Sequence, residues 1–126
     1  MTNVLVCVTR KESAKELIQC GKDFIKDEND NLFIVNIGSY EMYYLNKTEE
    51  EQDLDYLYEL ALKAGGDIKV IRSNNAIESI FNYIKEHEIS MVVIEDLKQI
   101  RGLKRIENKT KEAGMSVRFD YIPIEE

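Results

Sequence analysis

The sequence is poor in the residues that build metal sites and catalytic centres, because its 126 residues include one histidine, two cysteines and one proline. Cys7 and Cys20 are too few for a disulfide framework or a zinc cluster, and we expect both to be buried thiols. His87 lies between two glutamates near the end of a predicted helix, which favours a solvated helix-terminal residue over a metal ligand or a base. Ser13 and Ser39 lack a histidine base, so nucleophilic catalysis is not supported. We expect no enzyme.

Long hydrophobic runs are also absent. No apolar run approaches the ~20 residues that a membrane helix requires, and the sequence enters an apolar strand at Asn3 without a basic leader. We therefore expect a cytoplasmic protein. Hydrophobic residues make up 44 % of the chain, which argues against disorder and predicts one domain over residues 1–126.

Positive charge is scarce overall but concentrated in one segment. The net charge of −7 argues against general binding of nucleic acid, which requires a positive surface. Residues 98–111 nevertheless carry six cationic side chains and only one carboxylate. Two interpretations stay open: a segment that binds an anion or an acidic partner, and an ordinary solvated surface.

Strand and helix patterns alternate along the whole chain. Apolar or alternating runs predict strands at residues 3–8, 32–35, 67–71, 91–94 and 117–121. Apolar residues at helical spacing predict a helix in each interval, and Ser13 is the expected N-cap of the first. This alternation predicts an α/β fold with an open parallel sheet and helices on both faces. The third and fifth strands alternate as edge strands do, and placing the first strand at the centre gives the predicted order 3-2-1-4-5.

Open parallel sheets bind ligands at the carboxyl ends of their strands, where the strand order reverses. In the predicted order this crevice lies between the first and fourth strands. The candidate ligand-binding residues around it are Thr9, Arg10, Val35, Gly38, Tyr40, Lys98 and Arg101. The cationic members of this set predict an anion site that uses side chains where other proteins use backbone amides. The alternative is that these residues belong to solvated loops.

Six segments carry a resemblance to a known family: residues 3–8, 13–21, 32–37, 58–66, 76–83 and 89–94. On these segments the chain resembles the universal stress proteins, and it is particularly similar to the stress-protein-like module of Kdp-type potassium-sensor histidine kinases. The resemblance implies a five-stranded fold of the adenine nucleotide alpha hydrolase-like, Rossmann-like type. It also implies homodimers that form through the last strand (Val117, Phe119 and Tyr121) and, in some members, binding of ATP or AMP.

The chain departs from the nucleotide-binding members of that family at two places. Those members carry an aspartate just after the first strand, where this chain has Thr9 and Arg10. They also carry a glycine-spaced phosphate loop after the fourth strand, where this chain has only Gly102. A side chain in such a loop blocks the close approach of the backbone to phosphate. Typical ATP binding is therefore expected to be weak or lost.

These observations favour a non-catalytic stress-response or signalling module that requires no cofactor. Its expected ligand is a nucleotide, such as ATP or AMP, or another small anion at the crevice. Thr9, Arg10, Lys98 and Arg101 hold the anion in this hypothesis, and Val35, Gly38 and Tyr40 flank an adenine-like base. A second hypothesis is a protein-interaction and dimerisation domain with a degenerate pocket. A third, an enzyme of the related adenine-nucleotide hydrolase group, has the least support because the phosphate loop is missing.

Overall fold

The predicted alternation of strands and helices is present in the structure, a computed structural model that describes residues 2–38, 47–96 and 103–123. The elements are β1 (Asn3–Val8), α1 (Lys11–Lys22), β2 (Asn31–Gly38), α2 (Lys47–Ala64), β3 (Asp67–Arg72), α3 (Ala76–Glu86), β4 (Met91–Glu95), α4 (Leu103–Glu112) and β5 (Arg118–Ile122).

The five strands form one parallel sheet in the order β3-β2-β1-β4-β5, which confirms the predicted topology. Every residue of β1 and β4 is buried, whereas β3 and β5 at the two edges are partly exposed. In the register of the sheet, Val6 of β1 lies between Ile34 of β2 and Val93 of β4. Continuous apolar runs therefore occupy the centre of the sheet, because only there are both faces of a strand covered.

Helices cover both faces of the sheet, as the alternation predicts. Val4 and Val6 of β1 pack in one hydrophobic cluster with residues of α1 and α2. Leu5 and Cys7 of the same strand pack in a second cluster with residues of α3 and α4. Successive side chains of a strand point to opposite faces, so one short strand contributes to both cores.

Three helix ends carry residues that are typical of such positions. The side chain of Asn75 caps α3 by accepting a hydrogen bond from the backbone N–H of Glu78 at 3.2 Å. Gly65 and Gly114 follow the last turns of α2 and α4 with φ of 73° and 72°, a conformation that favours glycine.

The predicted N-cap of α1 is wrong. The helix begins at Lys11, and its N-cap is Arg10, whose extended backbone has no side-chain capping bond. Ser13 lies inside the first turn, where it is buried, and its Oγ donates to the carbonyl oxygen of Arg10 at 3.3 Å. The Ser13 hydroxyl therefore bonds back to the residue before the helix and does not serve as its cap.

His87 lies at the amino end of the sheet, remote from the carboxyl ends of the strands. It is the C-cap of α3, and its carbonyl oxygen accepts a hydrogen bond from the side chain of Asn3 at 3.0 Å. Its ring is half-buried and stacks on Tyr83, with ring centroids 3.9 Å apart. The prediction of a helix-terminal position is confirmed, but the ring packs against an aromatic neighbour, so the prediction of a solvated side chain is wrong.

The two thiols differ in burial, which corrects the expectation that both are buried. Cys7 is buried, and burial raises the pKa of its thiol to about 12. Cys20 is half-buried, and its pKa is raised first by burial and then by the carboxylates of Glu16, Asp23 and Asp120.

A thiol reagent at pH 8 is therefore expected to modify Cys20 in the native protein and to spare Cys7 until the chain unfolds. Counting modified thiols over time by mass spectrometry checks this. Cys20→Ser should abolish labelling of the native protein, whereas Cys7→Ser should leave it unchanged. Two thiols that react at comparable rates in native protein would contradict the described core.

No helix within the described ranges is long and apolar enough to span a membrane.

Candidate functional site

The strand order reverses between β1 and β4, whose carboxyl ends lie side by side in the centre of the sheet. The chain leaves β1 through Thr9 and Arg10, and it leaves β4 through Glu95 and Asp96. We call the space around these four residues the central crevice. It is the position where open α/β sheets bind their ligands.

An ion pair joins the two sides of the central crevice. Nη2 of Arg10 lies 2.8 Å from Oε1 of Glu95, and Nε of Arg10 donates to both carboxylate oxygens at 3.0 and 3.1 Å. The Glu95 side chain is only 2 % exposed, whereas that of Arg10 is 27 % exposed. A planar guanidinium that binds both oxygens of a carboxylate is among the stronger polar contacts in proteins. This contact fixes the first residue before α1 to the end of β4.

The predicted anion-binding residues are only partly within the described chain. Thr9 and Arg10 lie at the central crevice, both half-buried. In the described part of the chain, Arg10 binds the protein's own carboxylate, that of Glu95. Lys98 and Arg101 lie outside the described residues.

The residues predicted to flank a base are spread along β2. Val35 is 1 % exposed and packs in the core cluster beneath α3 and α4, three residues before the strand ends. Gly38 is the last residue of β2, and its backbone pairs with Arg72 of β3. Tyr40 lies outside the described residues. The structure therefore brings Thr9 and Arg10 together but places Val35 inside the core.

Two polar residues outside the predicted ligand-binding set organise this end of the sheet. One is Glu95. The other is Asn36, which is 9 % exposed and donates from Nδ2 to the carbonyl oxygen of Val8 at 3.2 Å, so that it ties the end of β2 to the end of β1. The contact of Glu95 with Arg10 could have been predicted, because these opposite charges lie at the ends of two strands that are neighbours in the predicted order. The role of Asn36 depends on a backbone contact that the sequence does not display.

The end of β5 is paired with the end of β4, and nearby carboxylates affect the pKa of its Tyr121. The backbone N–H of Asp96 donates to the carbonyl oxygen of Ile122 at 2.8 Å, which continues the pairing of β4 with β5 beyond the strand. Burial, and then the carboxylates of Glu107 and Asp96, raise the pKa of Tyr121 to about 12. The phenol of Tyr121 is therefore protonated throughout the physiological range.

Part of the basic segment forms contacts within the protein. Nζ of Lys109 lies 2.6 Å from Oε2 of Glu78 and 5.1 Å from the centroid of the Phe81 ring, so this lysine joins α4 to α3. The same lysine, by its hydrogen bond and its charge, lowers the pKa of Glu78. Lys104 and Arg105 are exposed on α4. A cationic surface therefore remains, but it is smaller than the segment's composition suggests.

Two surface pockets flank the sheet without including Thr9, Arg10 or Glu95. The first, of ≈ 340 Å³, is lined by Lys11, Glu12, Gln52, Asp53 and Tyr56. It lies beside the first turn of α1, where Nζ of Lys11 is 3.1 Å from Oδ1 of Asp53. The second, of ≈ 490 Å³, lies between the edge strand β3 and α3. Within the parts of the chain that the structure describes, no group of three or more His, Cys, Asp or Glu residues is placed to hold a metal ion.

Comparison with solved structures identifies the class of fold. The chain is similar to the structure of a universal stress protein from Archaeoglobus fulgidus, with a TM-score of 0.65 and 14 % identity, covering 99 % of this chain and 94 % of that one. It is also similar to the universal stress protein from the same organism in complex with dAMP, with a TM-score of 0.66 and 13 % identity, covering 99 % of this chain and 98 % of that one.

A third solved structure, a universal stress protein in complex with cAMP, has a TM-score of 0.54 and 14 % identity, and the match covers 96 % of this chain and 95 % of that one. No family model matches the chain, and no curated protein matches it. At such low identities the likeness is one of fold. The chain has the five-stranded, adenine nucleotide alpha hydrolase-like fold of universal stress proteins.

Proposed function

We propose that this chain is a non-catalytic binding or signalling module of the universal stress protein type. In this proposal it binds an adenine nucleotide, or a related small ligand, at the central crevice. The observation that carries the proposal is the reversal of strand order between β1 and β4, with Arg10 at the opening. Two proteins with the same fold were solved with dAMP and with cAMP, which supports this ligand class. A closer relationship to the potassium-sensor kinase module and a cytoplasmic location stay predictions from the sequence.

Typical ATP binding is expected to be weak. The family's aspartate after the first strand is replaced by Thr9 and Arg10, and the guanidinium of Arg10 already binds the carboxylate of Glu95. The sequence after β4 also lacks the spaced glycines that let backbone amides approach phosphate. A monophosphate or a cyclic nucleotide places less charge at the crevice than a triphosphate does, so these ligands are the first to test.

A thermal-shift experiment tests the proposed ligand class. A ligand held at 100 times its dissociation constant adds ~2.7 kcal/mol of stability, which raises Tm of a domain of this size on the order of 10 °C. We expect AMP or a cyclic mononucleotide to raise Tm more than ATP does, each supplied at millimolar concentration. No shift with any of them would contradict nucleotide binding and favour the alternative below.

Variants locate the site in the same experiment. Thr9→Trp fills the central crevice with a bulky side chain and should abolish the shift. A matched control is Lys85→Trp, which places the same side chain at an exposed position of α3 and should leave the shift unchanged. A full shift in folded Thr9→Trp protein would place the ligand away from the central crevice.

The second candidate function is a protein-interaction domain that dimerises through β5. One observation favours it: Phe119 and Tyr121 stack with centroids 6.3 Å apart on an edge strand, where both are half-buried. An edge strand offers backbone groups that a second copy can pair, and the aromatic pair supplies apolar contact area.

Phe119→Asp is expected to convert a dimer into a monomer, because it places a charge in the paired edge. Size-exclusion chromatography with light scattering measures the change, and circular dichroism confirms that the variant is folded. The control is Leu62→Asp, which introduces the same charge at a side chain that is 81 % exposed on α2 and should leave the oligomeric state unchanged. An unaltered profile for folded Phe119→Asp would exclude β5 as the interface.

A further inference from the structure

Glu95 is a buried carboxylate inside the region that we propose as a ligand site. Its side chain is 2 % exposed and follows four buried apolar residues of β4. A carboxylate in such a place is costly unless it is paired and hydrogen-bonded. Arg10 provides both, with three contacts to the two carboxylate oxygens between 2.8 and 3.1 Å.

The same contact affects any phosphate that enters the central crevice. A phosphate would bind the guanidinium of Arg10 in the geometry that the carboxylate of Glu95 already uses, since both anions match the planar donors of the guanidinium. The incoming anion would also meet the like charge of Glu95 at short range, in a partly desolvated place where repulsion is strong. An uncharged base and ribose would meet neither obstacle.

We propose that Glu95 is a specificity-determining residue of the central crevice, which holds Arg10 and thereby prevents the phosphate of a nucleotide from contributing to affinity. This inference rests on the proposed function and refines it. The base and ribose supply the affinity, and the chain's own carboxylate takes the place that the phosphate would occupy. In wild-type protein, AMP is therefore expected to bind no tighter than adenosine.

Isothermal titration calorimetry with adenosine and with AMP tests the proposal. Wild-type protein should bind the two ligands with dissociation constants within about threefold of each other. Glu95→Gln removes the negative charge and keeps the shape of the side chain. It should tighten binding of AMP by about tenfold, equivalent to about 1.4 kcal/mol, and leave binding of adenosine unchanged.

Glu112→Gln is the matched control. It removes a carboxylate from the exposed last residue of α4, and should change the binding of AMP by less than about threefold because surface charges are screened. The double variant Arg10→Gln/Glu95→Gln should lose the gain in AMP affinity. Circular dichroism establishes which variants are folded, and the comparison of the two ligands on wild-type protein stands even if Glu95→Gln does not fold.

The outcomes separate this inference from the function on which it rests. AMP that binds wild-type protein tenfold tighter than adenosine would overturn the inference while supporting the proposed site. So would a folded Glu95→Gln protein with an unchanged ratio of the two affinities, or an equal gain from Glu112→Gln. Failure of both ligands to bind wild-type protein at millimolar concentration would overturn the proposed function, and the inference with it.

Discussion

Replacing Leu57 by alanine is expected to lower the free energy of unfolding by about 2–5 kcal/mol, whereas the same replacement at Leu62 should change it by less than about 0.5 kcal/mol. Both residues lie on α2, five positions apart. The Leu57 side chain is 2 % exposed in the core cluster shared with α1 and the sheet, and Leu62 is 81 % exposed. The two substitutions delete the same atoms from the same helix, so the difference between them measures burial alone.

Urea unfolding followed by circular dichroism measures both free energies. The large effect at Leu57 combines lost transfer of apolar atoms from water with the cavity left behind. Losses of similar size at both positions would contradict the packing of α2 against the sheet. A loss at Leu62 and none at Leu57 would mean that the helix is rotated relative to the described face.

The second large effect concerns the ion pair in the central crevice. Arg10→Met is expected to lower the free energy of unfolding by about 2–3 kcal/mol, because it leaves the carboxylate of Glu95 buried without its guanidinium partner. This value is below the usual range for a broken buried pair, since the guanidinium is 27 % exposed and solvent already screens part of the interaction. The side chain of Arg10 makes no capping bond to α1, so its removal should not destabilise the start of the helix through a lost cap.

The double variant Arg10→Met/Glu95→Leu separates the pair from the positions that carry it. Replacing both members of a buried ion pair by apolar residues of similar volume is often neutral or stabilising. We therefore expect the double variant to regain most of the loss, to within about 1 kcal/mol of wild type. A double variant as unstable as Arg10→Met would show that Glu95 is not the group left unpaired, and the pair would then not organise the crevice.

The fold was predictable because burial in a parallel sheet leaves a strong mark on a sequence. The run from Val4 to Val8 and the run from Met91 to Ile94 are apolar at every position, and such runs are stable only when both faces of a strand are covered. The alternation of Phe119 and Tyr121 with charged neighbours equally marks an edge. These patterns identify the central and edge strands, and placing the first strand at the centre then gives the observed order.

The site was less predictable because it depends on contacts between residues far apart in the sequence. Arg10 and Glu95 are separated by 85 positions, so their contact follows from the strand order and not from the local pattern around either residue. The helix α1 begins at Lys11, ahead of the expected cap at Ser13, because the Ser13 hydroxyl bonds back to the carbonyl oxygen of Arg10. Tyr40, Lys98 and Arg101 lie outside the described residues, so their predicted roles stay predictions.

A titration of isotopically labelled protein with AMP, followed by amide NMR, tests the central claim most directly. If the crevice between β1 and β4 binds the ligand, the largest shift changes should appear at Val8, Thr9, Arg10, Glu95 and Asp96. Changes confined to the pocket between β3 and α3, or no change at millimolar AMP, would contradict the claim.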